Sequence, residues 1–290
     1  MRYDQVAFDI NTKQYWEYNY TTSQYVNNVE TIKTEKTFDS ISPRLGIVYI
    51  LNDIVNVYGN ISTGFQTPQS SEMSTNPDLK PLTVYNYETG MKARFAGGHS
   101  IDLSLFYMNV KDEIVQTIAD GESSYSNAGE SKKKGIELTG KLQIIKGLFA
   151  GGAYTYSDFK FKEYIEWIKG VDYNRNGNSF PYIPKNQYNL FVYYKHSSGL
   201  KFKVDTNTWG EYFMDNANTE KYEGYKFLTN ALIGYEKKNL DITLDAYNIF
   251  DKRYAMEATK DTAKALAKKD PYLYRPGAPF SMMARITYKF

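Results

Sequence analysis

Twelve stretches of this chain alternate apolar and polar residues with period two, and the connections between them are sorted by length along the chain. The stretches are about 2–11, 40–50, 53–65, 82–94, 100–114, 132–145, 147–158, 186–196, 199–212, 225–236, 239–250 and 277–290. Long connections at 12–39, 66–81, 115–131, 159–185, 213–224 and 251–276 alternate with short ones near Asn52, Gly97–His99, Lys146, Ser197–Gly199 and Lys237–Asn239. Period two marks strands with one apolar face, and most stretches are near the roughly 10 residues a tilted strand needs to cross hydrocarbon. In an up-and-down antiparallel sheet the alternation puts every short turn at one rim and every long loop at the other. The expected fold is therefore all-β: a transmembrane antiparallel up-and-down β-barrel wall of about twelve sequential strands. Its free edges are 2–11 and 277–290 unless it closes on itself.

The two faces support this reading. One carries Leu45, Ile47, Met91, Ala93, Leu103, Leu105, Leu138, Leu190, Val192, Ala231, Ile233, Ile242 and Leu244 at its middle. Aromatics flank that band. Tyr49, Phe95, Tyr194, Phe202, Tyr235, Tyr288 and Phe290 lie toward the short turns, and Tyr85, Tyr87, Tyr107, Tyr154, Tyr156, Tyr188, Phe227 and Phe280 toward the long loops. An apolar band between aromatic girdles is what a bilayer selects. The opposite face carries Glu88, Lys92, Arg94, Asp102, Glu137, Lys141, Lys203, Asp205, Asp241, Asp245, Arg285 and Lys289, charges that are costly in lipid and harmless in a wet or plugged lumen. A soluble β-sandwich would need both the loop sorting and the girdles to be accidental.

Composition closes other routes. No run approaches the roughly 18 apolar residues of a spanning helix, and the mean hydropathy is -0.56. A net charge of +2 offers no argument for nucleic acid, and the absence of Cys removes disulfides and thiolate chemistry. The first ten residues lack the basic, apolar and cleavage segments of a secretory signal. Asp172, Asn174, Asn176 and Gly177 open like a calcium loop, but Ile183 stands where the bidentate Glu belongs, so a polar turn is the reading. His99 and His196, the only two histidines, fall in short turns and share no metal-ligand spacing. A short helix is expected within 258–270, started by Asp261 or Thr262.

Several segments resemble the C-terminal barrel of TonB-dependent outer-membrane receptors, the ferric-siderophore group in particular. They are GFQTPQSSE at 64–72, NPDLKP at 76–81, VYNYETGMK at 84–92, SNAGESKKKGIEL at 126–138, IPKNQYNLFVYY at 183–194, YNIFDKRY at 247–254 and RPGAPFSMMARITYKF at 275–290. Physical roles are available without the resemblance: Gly135 permits close packing, and Asn248, Asp251 and Arg253 can hydrogen-bond rim backbone. The final strand, ending on Ile286, Tyr288 and Phe290, resembles the signal that outer-membrane barrels present to their assembly machinery.

The resemblance implies a segment, 1–290, of a 22-stranded barrel whose plug domain and first strands are absent here. It implies a place in the outer membrane of a Gram-negative bacterium, in contact with the lipid bilayer. It also implies energy-coupled uptake of a ferric siderophore or similar metal chelate through the TonB complex, with no enzymatic activity and no cofactor. QSSEMST stands where haem receptors of the family usually place a His, which disfavours haem. Ligand contacts are expected from Tyr58, Gln66, Trp209 and Glu211 at the lumen mouth and from Tyr173, Arg175, Tyr182, Tyr274 and Arg275 in loops, because aromatics stack and Arg pairs with anionic groups. Two other classes remain open: a self-contained twelve-stranded barrel acting as a passive pore or outer-membrane hydrolase, and a soluble carbohydrate-binding β protein.

Overall fold

Alternation becomes sheet almost everywhere along the chain. The computed structural model describes every residue except 15, 16, 20–23, 27–29, 120, 121, 169, 170 and 290. Strands β1 (Arg2–Gln14) and β2 (Glu30–Ser42) pair with each other. An eleven-stranded antiparallel sheet follows in strict chain order: β3 (Arg44–Ile50), β4 (Val55–Gln66), β5 (Leu82–Phe95), β6 (His99–Ala119), β7 (Glu122–Ile145), β8 (Leu148–Glu163), β9 (Asn186–Lys195), β10 (Leu200–Trp209), β11 (Tyr225–Lys237), β12 (Leu240–Tyr247) and β13 (Ser281–Tyr288). Turns of two to four residues join the strands at one rim, as at Leu51–Ile54, Lys146–Gly147 and His196–Gly199.

Register keeps the two faces apart. Leu138 stands opposite Leu103 and Tyr154, and Val192 opposite Ala150 and Val204, so apolar side chains share one side across neighbouring strands. That side is not covered by protein: Leu45, Ile47, Leu105, Leu138, Leu190, Ile233 and Ile242 are all exposed. An uncovered apolar face this wide is a membrane surface. The other side is bonded within itself. The Tyr58 hydroxyl donates to Glu88 Oε1 at 2.7 Å, Arg94 grips both oxygens of Asp102 at 2.5 and 2.9 Å, and Lys201 meets Asp241 at 2.6 Å. Gly135 packs as its position suggested, since a Cβ there would stand 2.4 Å from the Phe106 ring.

Three expectations need correction. The 40–50 stretch is two strands, β2 and β3, split at Pro43, so β1 and β2 form a separate two-stranded sheet rather than the first links of one meander. The supposed loops 12–39 and 115–131 are largely strand, because β1, β2, β6 and β7 run on past the apolar band with polar residues on both faces, where period two carries no signal. Tyr58 lies four residues into β4 from its short-turn end, so it is a lumen residue remote from the long-loop mouth. The predicted helix forms over Thr262–Leu266, and Asp261 Oδ1 accepts from the Lys264 amide at 2.9 Å. Phe290 lies outside the described residues.

The edges of the eleven-stranded sheet are β3 and β13, and no ladder joins them among the described residues. Their outer backbone groups are open, and within hydrocarbon each unsatisfied group would cost several kcal/mol. Buried apolar residues gather at the long-loop rim instead. Val115, Ala128, Phe161 and Tyr164 form one cluster with Phe180 against it; Tyr212, Met214 and Ala258 form another with Tyr182, Trp209 and Tyr222.

Candidate ligand-binding cleft at the long-loop rim

Three long loops are knitted into one cap, the first two by buried polar groups and the third by bonds nearer the surface. Glu166, 1 % exposed, sits in the hairpin Ile165–Ile168/Val171–Asn174; it accepts from Arg175 Nε at 2.7 Å and from Asn216 Nδ2 at 2.9 Å. Asn218 and Ser179 exchange two bonds between the same two loops, at 2.6 and 2.8 Å. From the third loop, Lys260 Nζ reaches Thr219 Oγ1 at 2.9 Å, and Tyr272 donates to Glu220 Oε2 at 2.7 Å. Charges buried this way are costly unless paired, so the pairing fixes which loop lies against which. The Asn and Gly run suspected of calcium binding serves the turn: Asn174 Oδ1 accepts from the Asn176 amide, and Asn176 Oδ1 from that of Tyr164, both at 2.8 Å.

Beside the second apolar cluster the loops leave a cleft of about 930 Å³. Tyr222, Tyr225, Tyr254 and Tyr274 line it, with Lys221, Lys226, Lys252 and Arg253 among them and Glu223 as the acid. Gly224 makes this possible. It has φ +74°, and a Cβ on it would lie 1.9 Å from the Trp209 carbonyl oxygen, so only glycine lets the chain pass close against the end of β10 between Tyr222, which pairs with Tyr212, and Tyr225, which pairs with Trp209. The Tyr225 and Tyr254 rings lie 4.8 Å apart, and the Tyr222 hydroxyl donates to the Ala255 carbonyl at 2.9 Å. Burial raises the Tyr222 phenol above its ordinary range, and it raises Tyr182 further, with Asp215 adding to the effect. Both stay protonated at neutral pH and present neutral rings and hydroxyls. Lys221 is paired with Glu211 and Lys252 donates to the Lys226 carbonyl, so the lining offers basic groups and aromatic rings together, the chemistry that suits an anionic ligand with flat, polarisable surfaces.

The expected contact residues fall into groups. Tyr274 lines the cleft, and Arg275 stands next to it, largely exposed and 3.4 Å from Glu257. Trp209 pairs with Tyr225 in the ladder and packs with Tyr182 against Tyr212, behind the cleft. Glu211 holds Lys221, a cleft residue, at 2.6 Å, which keeps its carboxyl below the usual range. Arg175 stacks over Tyr173 at 5.0 Å but spends its Nε on Glu166, so this pair belongs to the cap. Gln66 ends β4 opposite Leu82, and Tyr58 is near the other rim; the structure does not bring either to the cleft. Lys221, Tyr222, Tyr225, Lys226, Lys252 and Tyr254 escaped the sequence reading. Its available signal was the mirrored Lys-Tyr and Tyr-Lys around Gly224, repeated in part by Lys252–Tyr254. Asn248 and Asp251 do bond rim backbone, at Lys252, Ala278 and Phe280, whereas Arg253 turns into the cleft.

The family model described as TonB dependent receptor-like, beta-barrel matches residues 1–249. The chain belongs to that family. A ferrioxamine receptor of Yersinia enterocolitica is 25 % identical over 279 residues, which are 94 % of this chain and 37 % of the relative. The catecholate siderophore receptor Fiu of Escherichia coli K12 is 24 % identical over 279 residues, 90 % of this chain and 34 % of the relative. Among solved structures, the siderophore receptor PiuA from Acinetobacter baumannii superposes with a TM-score of 0.73 at 21 % identity, covering 91 % of this chain and 38 % of that one. The chain thus spans little more than a third of the receptors it matches. Family members are outer-membrane proteins of Gram-negative bacteria, the setting that the uncovered apolar face requires.

Proposed function

We propose that this chain forms part of the barrel wall and the outer vestibule of a receptor that takes up a ferric siderophore or a similar anionic metal chelate. The observation that carries the reading is the cleft between the long loops, lined by four tyrosines and by Lys221, Lys226, Lys252 and Arg253, against Glu223 in the lining and Glu211 paired with Lys221. A ferric chelate with negative charge and unsaturated donor groups meets both chemistries at once. The named relatives, receptors for ferrioxamine and catecholate siderophores, support the same class of ligand. No step of bond making is needed for this role, and the protein acts as a transporter rather than an enzyme. In the receptor reading, energy comes from the TonB complex through a plug held inside the completed barrel, and Ile286, Tyr288 and Phe290 present the closing strand to the assembly machinery.

Open edges count against the self-contained pore, since no ladder joins β3 and β13 among the described residues. The decisive experiment is binding of a panel of ferric siderophores to the receptor that contains this chain, followed by iron uptake. A double K252A/R253A change is expected to weaken binding of the recognised chelate by about 10-fold or more while leaving the cap folded. Unchanged binding of every recognised chelate in that variant would rule out the cleft as the site.

A further inference from the structure

The alternation of β11 is broken at one place. From Leu200 with Tyr235 to Asn207 with Leu228, β10 and β11 pair without a gap, but the last rung is Trp209 with Tyr225, so Lys226 and Phe227 together oppose Thr208. That is a β-bulge, one residue too many on β11. It reverses the sides. Ile233, Ala231, Thr229 and Phe227 alternate onto the lipid face, and uninterrupted alternation would put Tyr225 there as well. Residues directly opposed in a ladder share a face, and Trp209 follows Asp205 and Asn207 on the lumen side, so the bulge turns Tyr225 inward. There its ring lies 4.8 Å from that of Tyr254, and both line the cleft.

The bulge is strained. Phe227 has φ +54°, a left-handed backbone that glycine adopts freely and a bulky residue rarely does. Neighbouring side chains hold it there: the Phe227 amide donates to Thr208 Oγ1 at 3.0 Å, and the Thr229 hydroxyl donates to the Phe227 carbonyl at 3.0 Å. Both threonines are buried. Glycine would remove the strain, and it would also remove the ring. That ring is 56 % exposed and stands edge-on to Tyr188 at 6.1 Å, in the aromatic girdle at the long-loop end of the lipid face. Backbone strain of this kind persists only where the surroundings over-determine it, and it clusters at ligand sites. Lys252 Nζ donates to the Lys226 carbonyl, so the bulge also meets the loop that supplies Tyr254.

We propose that Phe227 is a positioning residue for the cleft: the bulge it occupies swings Tyr225 from the lipid side to the ligand's wall, and its ring, seated in the membrane interface, keeps β11 from slipping back into the unbulged register. The proposal rests on the cleft being the chelate site. A slip of one residue moves a side chain to the other face, so without the bulge the lipid side gains a phenol and the cleft loses one of its rings. Phe227 does not line the cleft. It sets which rings the ligand meets.

The test is made in the receptor that contains this chain and takes two separate readings. Y225C/Y254C, in a chain that has no native cysteine, is treated with a short bis-methanethiosulfonate to report whether residue 225 faces residue 254. Binding of the recognised ferric chelate is measured with both tyrosines in place. Deleting Phe227 should abolish the crosslink and weaken binding several-fold, with the heat-modifiable folded band retained. F227A, which keeps the strain and loses the ring, should crosslink less and bind less. F227W and F227G should crosslink like the unaltered protein, the first because it keeps the anchor and the second because it removes the strain. Where the deletion fails to fold, the contrast between F227A and F227G decides alone. Full crosslinking after deletion of Phe227, or in F227A, overturns the proposal. Loss of the crosslink with binding unchanged also removes Phe227 from recognition, and then it is the cleft as the ligand site that has failed.

Discussion

The two rims of this sheet are specified in different ways. At the short-turn rim, two to four residues reverse the chain, and the instruction is local: Gly97, Gly147 and Gly199 supply positive φ where the chain reverses. At the long-loop rim, reversal takes up to thirty-odd residues, and order comes from contacts between loops distant in sequence, such as Glu166 with Asn216 and Ser179 with Asn218. Local instruction gives a rim that can join strands but has little to vary. Non-local instruction gives a cap whose fixed backbone can present different side chains to a ligand, at the cost of depending on a few buried partners.

Breaking a local instruction should do the most damage. Gly199 has φ +104°, and a Cβ on it would stand 2.3 Å from the Glu236 carbonyl oxygen, in the ladder next door. Gly199→Val adds backbone strain of about 1–3 kcal/mol to a clash that only movement of β11 can relieve. Loss of the heat-modifiable folded band is the expected result. A folded band at wild-type level would show that the turn is not fixed by its glycine.

Breaking the cap should come next and stay confined. Glu166→Leu leaves Arg175 buried without its carboxylate, and removal of one member of a buried pair costs about 3–5 kcal/mol. The expected outcome is protease cleavage within 164–185 and weaker chelate binding, with the spanning strands still folded. Cleavage spreading into β8 or β9 would mean that the two rims are not separable. A charge on the lipid face tests the wall between them: Leu138→Arg should cost about 2–4 kcal/mol of membrane stability, while Lys203→Ala on the lumen side should cost well under that.

The same division decides what could be read from the sequence. The spanning strands were legible because lipid on one side and water on the other impose period two, and the short turns because they interrupt it. His196 lies in its turn as read, whereas His99 is the first residue of β6, where its ring accepts from the Gln143 amide at 3.0 Å. Past the apolar band that contrast ends, so the polar extensions of β6 and β7 read as loop although their ladder continues to Ala119 and Glu122. The cleft was legible only in fragments. Tyr274 was found by residue type, but Lys221 and Tyr225 come from the connection before β11 and that strand's first residue, and Lys252 from the connection after β12, and nothing in either segment announces the other. Tyr58 was misplaced because an aromatic on a lumen face looks the same at either end of a strand.

The smallest expected effect separates the stability of the cap from its ability to bind. Glu211 and Lys221 form an ion pair at 2.6 Å with half of each side chain in water, so screening leaves it about 0.5 kcal/mol or less. Lys221 holds the Glu211 carboxyl below its unfolded pKa, with burial opposing. The pair's contribution is therefore present above the ordinary carboxylate range and is lost as pH falls through the depressed value. Lys221→Ala should lower cap stability only slightly at pH 7, and the two proteins should converge when the pH is taken below that of the folded Glu211. Chelate affinity should behave differently if the cleft is the site, because Lys221 also lines it. A several-fold loss of binding at pH 7, with protease resistance of the cap unchanged, is the expected signature. Equal loss of both would mean that Lys221 acts as a brace of the loop, and the binding charge of the cleft would then rest on Lys226, Lys252 and Arg253.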